Sequence, residues 1–166
     1  MQLYIWTHCV MIARVKKIND ISRLAKSARE NSSGWMLKRL CSQLDLEMKQ
    51  ALESVDISTN QFAVLMTVME FEGLTQTELG EKIAMPGYAT TRTLDSLEAR
   101  QLVERRADES SRRSHRIYLT TKGCKLGPRI FAIIDKVNTK FLATINKTDQ
   151  NRFNALLKKL LCTSLK

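Results

Sequence analysis

The chain has 166 residues, 43% of them hydrophobic, and a formal net charge of +10 at neutral pH. This length fits one compact domain with a helical extension, and the hydrophobic content excludes an intrinsically disordered chain. The basic balance predicts attraction to polyanions, and it is uneven, because residues 34–100 carry −4 while residues 101–129 carry +5.

Cysteine and histidine usage argues against a metal site. The four cysteines, at positions 9, 41, 124 and 162, include no Cys-x-x-Cys pair, and the two histidines complete no zinc pattern. We predict reduced thiols, no metal and no cofactor. A glycine-rich phosphate loop and a recognisable Ser/His/Asp set are also missing, so an enzyme is not expected.

The N-terminal residues look like an extension. Residues 1–13 are apolar but lack a preceding basic segment, so we interpret them as an arm, or as sequence preceding the domain, and not as a signal peptide. Residues 14–33 are basic and polar and contain at most a short helix. No apolar run is long enough to span a membrane, so we expect no membrane partner and a cytoplasmic protein.

Two helices are predicted before residue 74. Trp35 to Val55 carries an apolar stripe with spacings of three and four, which places Cys41 within that stripe as a small buried hydrophobe. Ser58 and Gln61 have capping-box spacing and begin a second helix, which ends at Glu72-Gly73. Its apolar residues are predicted to be core, and they are Phe62, Leu65, Met66, Met69 and Phe71.

Residues 74–100 predict a helix, a turn and a second helix. Thr75 with Glu78 again has capping-box spacing, and Pro86-Gly87 is expected to break the first helix. The second helix runs from about Tyr88 to Arg100, with Thr90, Leu94 and Leu97 on its inner side. One outer face is predicted to carry Tyr88, Thr91, Arg92, Asp95 and Ser96. Such a face suits hydrogen bonding in a DNA major groove, although an ordinary solvated face has the same pattern.

A hairpin with a basic tip is predicted next. Residues 102–106 and 116–120 have strand character, and residues 107–115 between them are polar and have a basic C-terminal half. A helix-turn-helix followed by such a hairpin is the layout of a winged helix. The narrow minor groove attracts arginine, which favours DNA binding over a merely solvated loop.

The C-terminal part predicts two further helices. The first follows Gly123 and is expected to be interrupted at Gly127-Pro128. Thr148-Asp149 is interpreted as the cap of the last helix. Both helices carry more apolar side chains than a small winged domain buries, so we predict dimerisation through the chain ends.

The segment resembles the DNA-binding domain of the MarR family of bacterial transcriptional regulators. That family's wing motif is D-x-R-x-x-x-V-x-L-T-x-x-G, whose six fixed positions fall on Ser111, Arg113, Ile117, Leu119, Thr120 and Gly123. All of them except Ser111 match or are conservative, which makes five of six. The run from Ala89 to Arg106 is similar to the family's recognition helix and first wing strand. The looser likeness reaches from about Gly34 to the C-terminus.

Two departures from the family pattern stand out. The motif's aspartate is Ser111, so the carboxylate that steadies the wing arginine is missing, and Asp108 or Glu109 is a candidate substitute. Gln101 stands where glycine commonly follows the recognition helix, which predicts a strained or differently closed helix end.

The resemblance implies a mainly α fold with a small β wing (α+β), built as a winged helix-turn-helix with N- and C-terminal dimerisation helices. The implied divisions are an extension at residues 1–33, a dimerisation region at residues 34–57 and 120–166, and the winged domain at residues 58–119. The implied DNA contacts are Tyr88, Thr90, Thr91, Arg92, Ser96, Arg105, Arg106, Arg112, Arg113, Arg116 and Lys122.

We therefore expect a homodimeric, sequence-specific regulator of a pseudo-palindromic operator in double-stranded DNA, more a repressor than an activator. A small phenolic or lipophilic effector is implied, with a possible cleft at Trp35, Arg39, Met66 and Met69. Two alternatives stay open. One is a redox-sensing regulator of the same fold, and the other is a winged-helix module for nucleic-acid or protein interaction without promoter specificity.

Overall fold

The fold is described by a computed structural model for residues 20–108 and 111–164, with the side chains of residues 111–113 and 163–164 outside that description. The described elements are helices α1 (residues 20–30), α2 (Ser33–Leu52), a 3-10 turn (Glu53–Val55), α3 (Thr59–Glu70), strand β1 (Leu74–Thr75), α4 (Gln76–Lys82), α5 (Gly87–Ala99), β2 (Val103–Asp108), β3 (Ser111–Leu119), α6 (Thr121–Phe141) and α7 (Lys147–Ser164). The predicted class, mainly helical with a small sheet, is confirmed. Among these helices none is both long and apolar enough to cross a membrane.

The chain divides into two compact units, Met1–Asp45 and Leu46–Lys166. In the first unit the described side chains are largely exposed, including Ile21, Leu24 and Trp35. Cys41 is exposed as well, so the prediction that this thiol is buried is wrong for the single chain. The apolar stripe of α2 becomes buried only at its C-terminal end, at Leu52 in the second unit.

The second unit has one hydrophobic core, to which α3, α4, α5, the sheet and α6 all contribute. Its fully buried members are Leu52, Val64, Leu65, Val68, Leu79, Leu94, Leu97, Ile117 and Ile130. Phe62, Met66 and Met69 pack against this cluster while partly buried, as expected for α3. Phe71 was predicted to be core but is exposed, because α3 ends at Glu70 and the chain turns there.

The three strands form an antiparallel sheet in the order β1-β3-β2. Val103 pairs with Leu119 at one end of the β2–β3 ribbon and Ala107 with His115 near the other, with an irregularity between Ala107 and Asp108. The predicted loop over residues 107–115 is therefore wrong, because most of it continues the two strands. A ribbon exposed to water carries polar side chains without losing its backbone hydrogen bonds, so polarity alone did not mark its end.

Local sequence signals set most helix starts. Both predicted capping boxes, Ser58 with Gln61 and Thr75 with Glu78, are present with both reciprocal hydrogen bonds. The last helix begins differently from the prediction. Asn146 Oδ1 accepts from the Asp149 amide at 2.9 Å while its Nδ2 donates to Asp149 Oδ2 at 2.8 Å, so the cap is Asn146 and not Thr148-Asp149.

Helix α6 is continuous through Pro128, which contradicts the predicted interruption at that position. Proline removes a single amide donor, whereas Ile130 and Val137, seven residues apart on one face, are both buried and stabilise the helix. The helix also starts earlier than predicted, because the Thr120 hydroxyl accepts from the Gly123 amide at 3.0 Å. Gly123 packs so tightly that a Cβ there would lie 2.1 Å from the Leu102 carbonyl oxygen.

The turn between α4 and α5 is also placed differently. Helix α4 ends at Lys82, and Ala84 adopts a left-handed backbone with a φ of 50°. Pro86-Gly87, predicted to break α4, instead begins α5, with Pro86 as the N-cap and Gly87 as the first helical residue. The break falls earlier because Ala84 reverses the chain before the proline is reached.

Candidate nucleic-acid interface

Helix α5 is fixed to the core by its inner side, where Thr90, Leu94 and Leu97 are fully buried. The Thr90 hydroxyl lies 3.1 Å from the Pro86 carbonyl oxygen and 3.3 Å from that of Met85 and donates in their direction. Thr90 was predicted both as an inner residue and as a DNA contact. A fully buried hydroxyl that bonds to its own turn favours the first assignment, and the DNA contact of Thr90 stays a prediction.

The opposite side of α5 is exposed, as the spacing predicted. Tyr88 is 80% exposed, and Arg92, one turn later, makes no hydrogen bond or ion pair with any described residue. A shallow cavity of about 390 Å³ lies beside these two side chains, and the N-terminal turn of α3 forms its other wall. This face presents an aromatic ring and an uncommitted guanidinium to the solvent.

Two hydroxyls on that face have partners from neighbouring helices. Thr91 Oγ1 donates to the Gly87 carbonyl oxygen at 2.9 Å and accepts from Gln76 Nε2 at 2.6 Å. Ser96 Oγ accepts from Gln61 Nε2 at 2.9 Å. Both glutamines lie in the first turn of their helices, so α3 and α4 each contribute one carboxamide to the edge of the exposed face.

Arg105 occupies a different place from the one predicted. Its guanidinium bonds to Asp95 Oδ1 at 2.7 Å and to Glu98 Oε2, while its backbone amide donates to Glu98 Oε1 at 3.2 Å. Burial alone lowers the pKa of Arg105, but the hydrogen bonds to Asp95 and Glu98 outweigh it and raise that pKa. This side chain therefore joins β2 to α5, and its contact with DNA phosphate stays a prediction.

Three other cations that were predicted to contact DNA lie on or next to the strands, and they differ in their partners within the protein. Arg106 is 58% exposed, pairs with Glu104 at 2.5 Å and lies over the Tyr118 ring. Arg116 pairs with Asp108 at 3.0 Å and donates to the Gly73 carbonyl oxygen at 2.8 Å. Lys122 donates to the Arg100 carbonyl oxygen at 2.8 Å and stays exposed.

The tip of the hairpin lies partly outside the described residues. Arg112 and Arg113 belong to β3 by their backbone, but their side chains are outside the description, as is Glu109. Asp108, considered as a substitute for the family aspartate, is buried and holds Arg116. The predicted minor-groove role of Arg113 stays a prediction.

Helix α5 ends in the left-handed backbone conformation that glycine usually adopts at a helix end, although the residue there is Gln101. Gln101 has a φ of 58°, and the Leu102 amide donates to the Leu97 carbonyl oxygen at 2.9 Å. The left-handed backbone costs a residue with a Cβ about 1–2 kcal/mol. The Thr120 hydroxyl donates to the Gln101 carbonyl oxygen at 2.6 Å and helps to hold this conformation.

The α4 cap carries a perturbed carboxylate. Hydrogen bonds from the Thr75 amide and hydroxyl, both at 2.8 Å, lower the pKa of Glu78. The charge of Arg116 lowers it further, so this cap depends on an ionised Glu78.

The candidate effector residues fall into separate surroundings. Trp35 and Arg39 line a cavity of about 450 Å³ in the first unit, together with Arg29, Lys38 and Ser42. Met66 and Met69 pack against the core of the second unit. Among the residues that the structure describes, no cluster of His, Cys, Asp or Glu could hold a metal ion.

Sequence reasoning missed the two glutamines and the carboxylates that hold Arg105. Gln76 precedes Thr91 by fifteen positions, and Asp95 was placed on the outer face without a partner. The available signal was geometric: Asp95 and Glu98 are three apart on a helix and so form one acidic spot for a nearby cation.

Comparison with known proteins points to one family. The MarR family model matches residues 55–114, which covers α3 to the start of β3. The transcriptional repressor Rv2887 of Mycobacterium tuberculosis is 29% identical over 127 residues, which span 76% of this chain and 91% of that protein. Its solved structure in complex with salicylic acid superposes with a TM-score of 0.67, at 29% identity, covering 78% of this chain and 96% of that one.

A second protein of known structure supports the fold. The structure of wild-type MarR from Escherichia coli in its apo form has a TM-score of 0.74 at 24% identity, covering 78% of this chain and 96% of that one. The similarity therefore extends from the winged segment over most of the described chain.

Proposed function

Because this chain belongs to the MarR family of transcriptional regulators, we propose that it is a homodimeric, sequence-specific DNA-binding repressor that a small ligand releases from its operator. The single observation that carries this proposal is the exposed face of α5. Tyr88 and Arg92 stand one turn apart with no partner among the described residues, on a helix whose other side is locked into the core. An aromatic ring and a free guanidinium on a rigid helix suit contacts with base edges and phosphates.

Charge supports a polyanionic partner. Residues 101–129, which include the β2–β3 ribbon, carry eight Lys or Arg against three acids. Arg106, Arg116 and Lys122 extend this basic region beside α5, and we assign Arg112 and Arg113 to the tip that enters the minor groove.

The DNA-binding proposal is tested by fluorescence anisotropy with genomic fragments selected by the protein. The parent protein is expected to bind selected DNA more tightly than random DNA. The logarithm of its binding constant should fall linearly with the logarithm of the salt concentration. Arg92→Ala should reduce that preference, while Arg152→Ala is the matched control, since Arg152 is an exposed arginine on α7 without a partner among the described residues. Equal affinity for selected and random DNA in the parent would refute sequence-specific regulation and favour a general nucleic-acid module.

Exposed apolar side chains support the homodimer. On α7, Leu156 and Leu161 are exposed by more than half, and Phe131 on α6 is 46% exposed. Large exposed apolar groups on consecutive helices mark an interaction surface. We assign this surface to a second copy of the chain, whose two-fold symmetry presents two α5 helices to a pseudo-palindromic operator.

Light scattering coupled to size exclusion tests the dimer. Leu156→Lys together with Leu161→Lys should shift the mass from two chains towards one and weaken operator binding. Asn151→Lys together with Asn154→Lys adds the same two charges at exposed polar positions of α7 and should leave the dimer intact. A double leucine variant with the parent's mass would contradict the assignment.

The effector proposal rests on the relative crystallised with salicylic acid and on the cavity beside Trp35. Arg39 offers a cation and Trp35 an apolar ring to a phenolic or lipophilic anion, with Met66 and Met69 retained as candidates. Salicylate titration is expected to release the operator from the parent and to require higher concentrations with Arg39→Ala. Lys49→Ala removes a cation from the same helix and serves as control. If salicylate leaves operator binding unchanged, phenolic anions are excluded as the effector.

We place this regulator in the cytoplasm, where its DNA lies. We divide it into an extension at residues 1–33, a dimerisation region at residues 34–57 and 120–166, and the winged domain at residues 58–119.

A further inference from the structure

We infer that Gln76, the first residue of α4, is a specificity-determining residue of the DNA interface, and that Thr91 positions it. This inference rests on the proposed function, since it names a residue that discriminates between DNA sequences. Sequence reasoning assigned base recognition to Thr91 itself, and the hydrogen bonds of that hydroxyl point to its neighbour instead.

Thr91 has little hydrogen-bonding capacity left for DNA. A threonine hydroxyl has one proton and two lone pairs. The proton goes to the Gly87 carbonyl oxygen at 2.9 Å, and one lone pair accepts from Gln76 Nε2 at 2.6 Å. Thr91 therefore has no donor to offer a base edge, and it fixes the carboxamide of Gln76.

Gln76 keeps the groups that Thr91 lacks. Its Nε2 retains a second N–H, and its Oε1 has no partner among the described residues. A carboxamide that offers a donor and an acceptor side by side complements the major-groove edge of adenine. Because the bond to Thr91 restricts its rotation, the side chain is already ordered before DNA arrives.

Gln61, the other glutamine beside α5, does not share this freedom. Its oxygen accepts from the Ser58 amide at 2.9 Å in the α3 capping box, and Arg100 lies 3.5 Å from the same oxygen. Its Nε2 donates to Ser96. Gln61 is thus committed to the fold, whereas the α4 capping box uses Thr75 and Glu78 and leaves the Gln76 side chain out.

The test is a binding profile across every single base-pair substitution of an operator that the parent protein selects. We expect a parent preference for adenine of about 5- to 100-fold at one position of each half-site. Gln76→Ala should reduce that preference to about twofold and leave the other positions unchanged. Gln50→Ala, an exposed glutamine on α2 without a partner among the described residues, is the matched control and should keep the whole profile.

The variant Thr91→Val tests whether Thr91 positions Gln76 or contacts the base itself. If Thr91 acts through Gln76, this variant loses the same preference, and the double variant is no worse than either single one, because the two residues act as a unit. Thermal unfolding of each variant checks that the fold is kept.

Three results would overturn the inference: a Gln76→Ala profile equal to that of the parent, an equal loss for all sequences that would mark a phosphate contact, or a lost preference for a base other than adenine. A parent without any preference would instead refute the proposed function, so the two failures are distinguishable.

Discussion

Arg105 makes the sharpest prediction, because sequence and structure assign it different tasks. As a phosphate contact it would contribute to DNA affinity, whereas as a link between β2 and α5 it contributes to folding stability. Its side chain is only 20% exposed and bonds to Asp95 and Glu98. Arg105→Ala removes both bonds and leaves two carboxylates three residues apart without their cation.

The expected cost follows from the exposure of the two partners. Exposed ion pairs contribute about 0.2–1 kcal/mol, and hydrogen bonds to charged groups that are shielded from water about 1.5–3 kcal/mol. Asp95 is 59% exposed and falls in the first class, whereas Glu98, at 40%, is the less exposed partner of a guanidinium that is itself only 20% exposed, and it falls at the lower end of the second. We expect a loss of about 2 kcal/mol in the free energy of unfolding, of which the Glu98 bond supplies about 1.5 kcal/mol.

Urea denaturation at one fixed protein concentration measures this loss, since a dimer's midpoint depends on concentration. With a slope of about 2 kcal/mol/M, the midpoint should fall by about 1 M. Arg105→Lys should recover only part of the loss, because one ammonium does not bridge two carboxylates as a guanidinium does.

Arg92→Ala is the control with the opposite expectation, since Arg92 lacks a partner among the described residues. It should change the free energy of unfolding by less than about 0.5 kcal/mol and should weaken operator binding. If Arg105→Ala instead keeps its stability and loses DNA affinity, the assignment of Arg105 to the fold is wrong.

Three further predictions test other parts of the fold. Gly123→Ala should destabilise by more than about 3 kcal/mol in urea, because its Cβ would meet the Leu102 carbonyl at 2.1 Å, while Gly87→Ala, with nothing within 4 Å, should be neutral or slightly stabilising. Thr90→Val should cost about 1 kcal/mol through the lost hydroxyl bond and leave the base preferences unchanged, and altered preferences would identify Thr90 as a contact. Since the hydrogen bonds from Thr75 lower the folded pKa of Glu78, its stabilisation is present above the unfolded pKa and is lost as pH falls through the folded value, so Glu78→Gln should flatten this acid limb in denaturation curves.

The features that the sequence predicted correctly are those that depend on neighbours within one turn. The capping boxes at Ser58 and Thr75 need only a hydroxyl and a side chain three residues later, so spacing alone identifies them. The inner side of α5 was likewise readable, since Leu94 and Leu97 follow the helical period. Of the two outcomes predicted for the end of α5, a strained or a differently closed terminus, the strained one is present at Gln101, whose φ is 58°.

Several of the differences between sequence and structure concern features that distant contacts decide. Pro128 breaks an isolated helix, but the burial of Ile130 and Val137 on one face outweighs its lost hydrogen bond. The polar residues between β2 and β3 look like a loop until the partner strand is considered. Arg105 looks like any surface cation because its partners lie seven and ten positions earlier, on another element.

These differences share a consequence for reading DNA-binding faces from sequence. A helical period tells which side chains point outward, but not which of their polar atoms are already bonded. Thr91 and Arg92 are adjacent and both exposed. The Thr91 hydroxyl already donates its proton to the Gly87 carbonyl oxygen, whereas the Arg92 guanidinium has no hydrogen-bond partner among the described residues. A base edge distinguishes donors from acceptors, so recognition depends on the donors and acceptors of the face that are not already hydrogen-bonded within the protein. On the exposed face of α5 these groups belong to Arg92, to Tyr88 and to the carboxamide that Gln76 contributes from α4.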